Sequence, residues 1–273
     1  MRANRISLVF RKDWLEIRRN REVLLPIIIL PIVISIVLPA ILTLIPRIDG
    51  GSGSSADLEL LLRSLPSYVR GEVAGLSPSQ AIAYLMTVYL FAPFFLIVPI
   101  MTSSVISADS FAGEKERKTI EALLATPISD GELLLGKILV SFVPTMVITL
   151  ISFVNYSAIV DVLSFTFFSG RIILPNLLWV MMILLLAPLI AIASIGLTVT
   201  VSARVKGFRE AQQISVVLII PVLALILGQL SGAMILGPLT VAAVAIVLGA
   251  IDVAIFYIGV RLFSREEILP RMS

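Results

Sequence analysis

Six runs of apolar residues, separated by short polar connections, decide what this chain can become. They fall at about 23–46, 81–107, 133–160, 173–202, 213–231 and 239–262. A bilayer core needs roughly 20 apolar residues in a helix to cross it. Inside lipid every backbone polar group must be satisfied within the protein, which leaves helices or a closed barrel. Runs of this length read as membrane-spanning helices packed into one bundle. The composition agrees: 58% of the residues are hydrophobic and only 14% are charged, against about 25% charged in an ordinary soluble domain. The expected fold is all-α. Residues 1–273 form a single transmembrane domain of six helices in the lipid bilayer.

Orientation follows from the basic residues, because Lys and Arg are retained on the cytoplasmic side. With the N-terminus inside, the inner segments 1–22, 109–137, 203–212 and 261–273 carry seven, four, three and three Lys or Arg. The outer segments 47–80, 161–172 and 232–238 carry three, one and none. Both termini are therefore expected in the cytoplasm, with the chain a multi-pass protein of the cell membrane. The net charge of +3 is too small to suggest a nucleic-acid partner.

The polar segments carry structure of their own. Residues 1–22 read as an interfacial amphipathic helix, an elbow. Ile6, Phe10, Trp14 and Ile17 lie along one face with Val9 beside them, and Arg11, Lys12, Arg18 and Arg19 fill much of the rest. The extracellular loop 47–80 opens on a Gly/Ser linker and continues into a short amphipathic helix with Leu58, Leu61, Leu62, Leu65 and Val69. Ser77-Pro78-Ser79-Gln80 is a capping box with proline at the first helical position, and it starts the second span. Prolines recur inside the spans at Pro26, Pro31, Pro39, Pro93, Pro99, Pro144, Pro188 and Pro221, with Pro46 at the end of the first span. Each is read either as a kink that rearranges in transport or as ordinary membrane tolerance, with neighbours satisfying the freed carbonyls.

The stretch 109–137 departs from the pattern. Glu114, Lys115, Glu116, Arg117, Lys118 and Glu121 crowd into it, and Ile120, Leu123 and Leu124 make a small apolar face at helical spacing. Thr126-Pro127 ends that helix. Ser129-Asp130-Gly131-Glu132 is a second capping box, opening the third span. A turn that merely reverses the chain at a membrane surface needs none of this. The run from Glu114 through Thr119, Ile120, Glu121, Leu123 and Leu124 to Pro127, followed by Gly136-Lys137, closely resembles permease subunits of ABC exporters of the type-two family. The resemblance holds in order and spacing over some twenty-five residues. It implies that 109–131 holds a cytoplasmic coupling helix, Glu114–Thr126, seated on a separate ATPase. Its apolar face would fill a groove there, with Glu114, Arg117 and Glu121 in polar contact. Arg204, Lys206, Arg209 and Glu210 resemble a second, smaller ATPase contact, or else simply supply charge that sets topology.

Chemistry within the chain is limited. There is no cysteine and no histidine, which removes thiolate chemistry, the commonest general base and the commonest metal ligand. Gly131 to Lys137 spells a P-loop pattern, but Ile138 stands where a Ser or Thr must reach magnesium. The chain is accordingly expected not to be an enzyme: it needs no cofactor, and ATP and magnesium belong to the partner. Asp252 falls near the middle of the sixth span. It is either a functional intramembrane acid or a structural one facing a neighbouring helix. The resemblance implies a transport subunit working as a pair of permeases with two ATPase copies. The alternative is a stand-alone channel or secondary transporter using Asp252.

Overall fold

The computed structural model describes residues 3–48, 65–119, 128–202, 204–205, 207–231 and 234–262. All regular structure among them is helical. In chain order, α1 (Ala3–Ile17) precedes α2 (Arg21–Ile45), the short α3 (Ser67–Val73), α4 (Pro78–Glu116), α5 (Asp130–Ser164), α6 (Leu177–Ser202), α7 (Phe208–Leu230) and α8 (Pro238–Leu262). Six of these, α2 and α4 to α8, are long and apolar enough to cross a membrane. Their exposed surface says the same. Leu227, Leu230, Leu239 and Ile246 are each more than 60% exposed, large apolar side chains outside the bundle that lipid accommodates and water does not.

The caps lie where the sequence places them. The Ser77 side chain accepts from Gln80 N while Ser77 N donates to the Gln80 side chain, at 3.4 and 2.8 Å. Ser129 and Glu132 repeat the exchange at 3.3 and 3.2 Å, starting α5. Asn20 caps α2 by accepting from Glu22 N.

The central helix is α4. Its most apolar window is 61% buried, against 17% for α7 and α8, so α4 is in the middle and those two lie at the periphery. It packs on α2, α5 and α6, α6 carries α8, and α7 runs along α4 from residues 85–95 at one end to 97–113 at the other. Pro93 brings no N–H to α4, and the helix widens into a π-helical turn over Leu85–Leu90 just before it. Side chains from three other helices donate to carbonyls in that turn. Tyr156 Oη donates to Thr87 O at 2.6 Å, Trp179 Nε1 to Val88 O at 2.9 Å, and Gln229 Nε2 to Tyr89 O at 3.1 Å. The first two rings are themselves fully buried and stacked, 4.5 Å apart, with Phe91 on the far side of Tyr156 at 5.3 Å. A weak point in one helix thus becomes the place where α5, α6 and α7 are pinned to it.

The bundle-facing side of α1 differs from the stripe expected from spacing. Val9, Asp13 and Ile17 are the buried positions, while Ile6, Phe10 and Trp14 are half-buried beside them. The face selected includes a carboxylate because a cation awaits it in α5.

Candidate functional site

The end of the bundle that carries α1 holds an unusual concentration of buried charge. Three elements meet there: α1, the last turns of α4, and the first turns of α5. Gly136 makes the approach possible. A Cβ on it would lie 2.8 Å from Val9 Cβ and Cγ1, so any larger residue would hold α1 away from α5. The next residue, Lys137, is fully buried. Its Nζ lies 2.6 Å from Glu114 Oε2 and 3.5 Å from Asp13 Oδ2, and it donates to Ser110 O. Ser110 Oγ in turn donates to Asp13 Oδ2 at 2.8 Å. The Phe111 ring lies 5.2 Å beneath the ammonium.

Lys12 closes the other side. It pairs with Glu114 Oε1, with Asp13 Oδ1 at 3.2 Å and with Glu16 at 3.3 Å. Burial pulls the Lys12 ammonium down, but the hydrogen bond and charge of Glu114, with Asp13 and Glu16, outweigh it and hold Lys12 above the usual lysine range. Arg117 bridges Asp109 at 2.9 Å and Glu16 at 3.7 Å, and Asn20 Nδ2 donates to Asp109 at 3.1 Å. Asp13, Glu16 and Glu114 offer oxygens within 4.8 Å of one another, a spacing that could hold a metal ion. Lys12 and Lys137 supply the positive charge there instead. Buried charges are tolerated only when paired and hydrogen-bonded in this way.

Glu114 and Arg117 are expected from the sequence at a partner's surface, within a separate coupling helix. The structure puts Glu114 inside, 0% exposed, at the end of the continuous helix α4. Two reasons combine. Lys137 and Lys12 supply its counter-charges, and the break in the chain comes after it. Lys118 adopts φ 56°. Thr119 N donates to Glu114 O at 3.0 Å and Lys118 N to Lys115 O at 3.2 Å. This is a Schellman C-cap with lysine in the left-handed position usually taken by glycine. The helix α4 therefore ends at this cap. Arg117 remains 41% exposed at the rim. Thr119 donates its hydroxyl back to Glu114 O at 3.3 Å. Ile120, Glu121, Leu123, Leu124 and Pro127 lie outside the described residues, as does Lys206.

The second charged connection meets the first. Lys115 Nζ donates to Val205 O at 3.0 Å, and Glu116 Oε2 accepts from Phe208 N at 2.9 Å. Glu116 thereby caps the N-terminus of α7, where its negative charge is favoured. Gly207 admits it, since a Cβ there would lie 2.5 Å from Glu116 Oε2. Arg204 and Arg209 are exposed beside this contact, with Arg209 paired to Glu22 at 3.2 Å, and Glu210 is exposed as well. The two stretches singled out in the sequence are thus one surface. Asp252 lies in α8, 8% exposed, with neither carboxylate oxygen hydrogen-bonded among the described residues.

The lysine–glutamate pair is legible in sequence only as two charges 23 residues apart. The part of Asp13 is not legible at all, because nothing in the α1 pattern separates it from the solvated charges around it. A family model described as ABC-2 family transporter protein matches residues 7–246. No curated protein and no solved structure gives a match.

Proposed function

The chain belongs to the ABC-2 transporter family, and from that premise we propose that it is the permease subunit of an ATP-driven exporter. In this reading two copies of the chain, or this chain and a second permease, stand over two separate ATPase subunits in the cell membrane. Both termini and the segments 114–131 and 204–210 face the cytoplasm. ATP and magnesium stay on the ATPase, and this chain supplies the path and the mechanical link.

The observation that carries the reading is the buried Glu114–Lys137 pair, with Lys12 and Asp13 around it. A loop that only reverses direction needs no fixed base. Here the segment beyond Thr119 leaves a base locked to three helices at once. A displacement imposed on residues 120–127 therefore moves the ends of α4 and α5, and α1 with them, rather than being lost in a flexible hinge. The second contact, through Glu116 and Gly207, carries the same displacement into α7. Thr119, Ile120, Glu121, Leu123, Leu124 and Pro127 are the residues expected to meet the ATPase, with Arg117 and with Arg204, Lys206, Arg209 and Glu210 as a second contact. Glu114 acts from within, as the anchor.

The test is Leu124→Asp, which puts a charge into the contact without touching a membrane span. Small contacts depend on a few central residues. The expected result is normal insertion, loss of the ATPase on detergent purification, and no transport. Glu121→Ala should uncouple more than it dissociates. An ATPase that stays bound and active beside the Leu124→Asp permease would remove the reading. The other reading, a stand-alone transporter using Asp252, draws on the two unpartnered oxygens of that residue. Under it Asp252→Asn abolishes transport while assembly survives, and no ATPase co-purifies.

A further inference from the structure

At the opposite end of α4 from the charge cluster, a cavity of about 530 Å³ opens between α4, the end of α7, and Ser231 and Ile235 beyond it. Its walls are mostly aliphatic: Ile82, Leu85, Met86 and Leu90 from α4, with Leu65 and Leu230 opposite. The volume is that of a pocket for a small organic molecule. Leu230 is 63% exposed at its rim, so the cavity is open along the side that meets the apolar surroundings of the bundle.

The polar side chains in its lining are Tyr89, Gln229 and Ser231, and the Ser231 hydroxyl donates to Gly228 O at 3.0 Å. Gln229, in its lining, spends its Nε2 hydrogen on Tyr89 O. Its other amide atom, Oε1, is buried and has no hydrogen-bond partner among the described residues. A buried carbonyl oxygen without a donor is unfavourable, and a donor entering the cavity would satisfy it. Tyr89 also lines the cavity, but its hydroxyl hydrogen is committed to Glu72 Oε2 at 2.7 Å. Glu72 Oε2 takes the Tyr84 hydroxyl as well, at 2.9 Å. The polar edge of the cavity is therefore made of acceptors, with a carboxylate one phenol ring behind it.

We propose that this cavity binds an amphiphile with an apolar chain and a neutral or cationic head that donates hydrogen bonds, such as a long-chain alcohol or amine. The chain lies along Ile82, Leu85, Met86 and Leu90, and the head donates to Gln229 Oε1. Glu72 favours an ammonium there and rejects a carboxylate. As a substrate site the cavity rests on the permease reading. As a ligand site it is tested without the ATPase, so a failed binding experiment leaves ATPase retention standing, and the reverse.

The experiment uses the full chain in phosphatidylcholine nanodiscs, with tritiated dodecylamine as the probe and empty nanodiscs as the baseline. Saturable binding above the baseline is expected, displaced by unlabelled dodecanol and not by dodecanoate. Gln229→Leu should weaken it about tenfold, the loss of about one buried hydrogen bond. Leu230→Trp, an exposed rim position where folding is not at stake, should fill the mouth and weaken it too, with the polar groups untouched. Binding no greater than to empty nanodiscs would overturn the proposal. So would displacement by dodecanoate as effective as that by dodecanol, or affinity unchanged in Leu230→Trp.

Discussion

Lys137 Nζ sits 2.6 Å from Glu114 Oε2, and both side chains are at least 99% buried. One residue belongs to the first turns of α5 and the other to the last turn of α4, so the pair clasps the two helices on either side of the segment that joins them. Asp13 brings α1 into the same clasp.

Removing one partner of such a pair strands the other. Lys137→Met should cost about 3–5 kcal/mol, because Glu114 and Asp13 are left buried with Lys12 as their remaining cation. The double variant Lys137→Met/Glu114→Gln should recover much of that loss, since the uncompensated carboxylate is gone. Melting temperatures of the detergent-purified chains read both effects. A single variant as stable as the parent would show that the pair is not a structural anchor.

The approach of α1 to α5 depends on position 136 having no side chain. Gly136→Ala places a Cβ 2.8 Å from Val9 Cβ, and overpacking of this kind costs about 1–3 kcal/mol. The expected consequence is release of α1. Trypsin should then cut at the exposed Arg18 and Arg19 faster than in the parent chain. Equal cutting rates in the two chains would contradict the close packing.

Lys118 holds a left-handed conformation at φ 56°, which costs an L-residue roughly 1–2 kcal/mol. Lys118→Gly should relieve most of this and raise the melting temperature, less the added freedom of glycine in the unfolded chain. Lys118→Val should lower it. The reverse order would mean that α4 does not end in a Schellman cap.

Sidedness is open to direct labelling, because the parent chain has no cysteine. A cysteine at Lys206 should react with a membrane-impermeant maleimide only in inside-out vesicles, and one at Ser54 only in intact cells. Reaction of the Lys206 position in intact cells would invert the orientation proposed from the basic residues.

How many helices there are, where several of them start, and which connections carry charge could all be read from the sequence. Those features depend on short stretches of chain. A run of apolar residues is long enough for lipid or it is not, and Ser77 and Ser129 satisfy backbone groups three residues away. The buried cluster was not legible for the opposite reason. Glu114, Lys115, Glu116 and Arg117 are a solvated charge run by composition, and spacing alone cannot say that Glu114 turns inward. That is decided only when α1, α4 and α5 meet and bring Lys12, Asp13 and Lys137 within hydrogen-bond distance. The same holds for Pro93. Its missing N–H is certain from the sequence, but that Tyr156, Trp179 and Gln229 from three other helices serve the carbonyls around it depends on packing across the bundle. Local satisfaction of the backbone is encoded locally. The pairing of buried charges and the capping of a broken helix need partners 23 to 140 residues away, and only the tertiary structure delivers them.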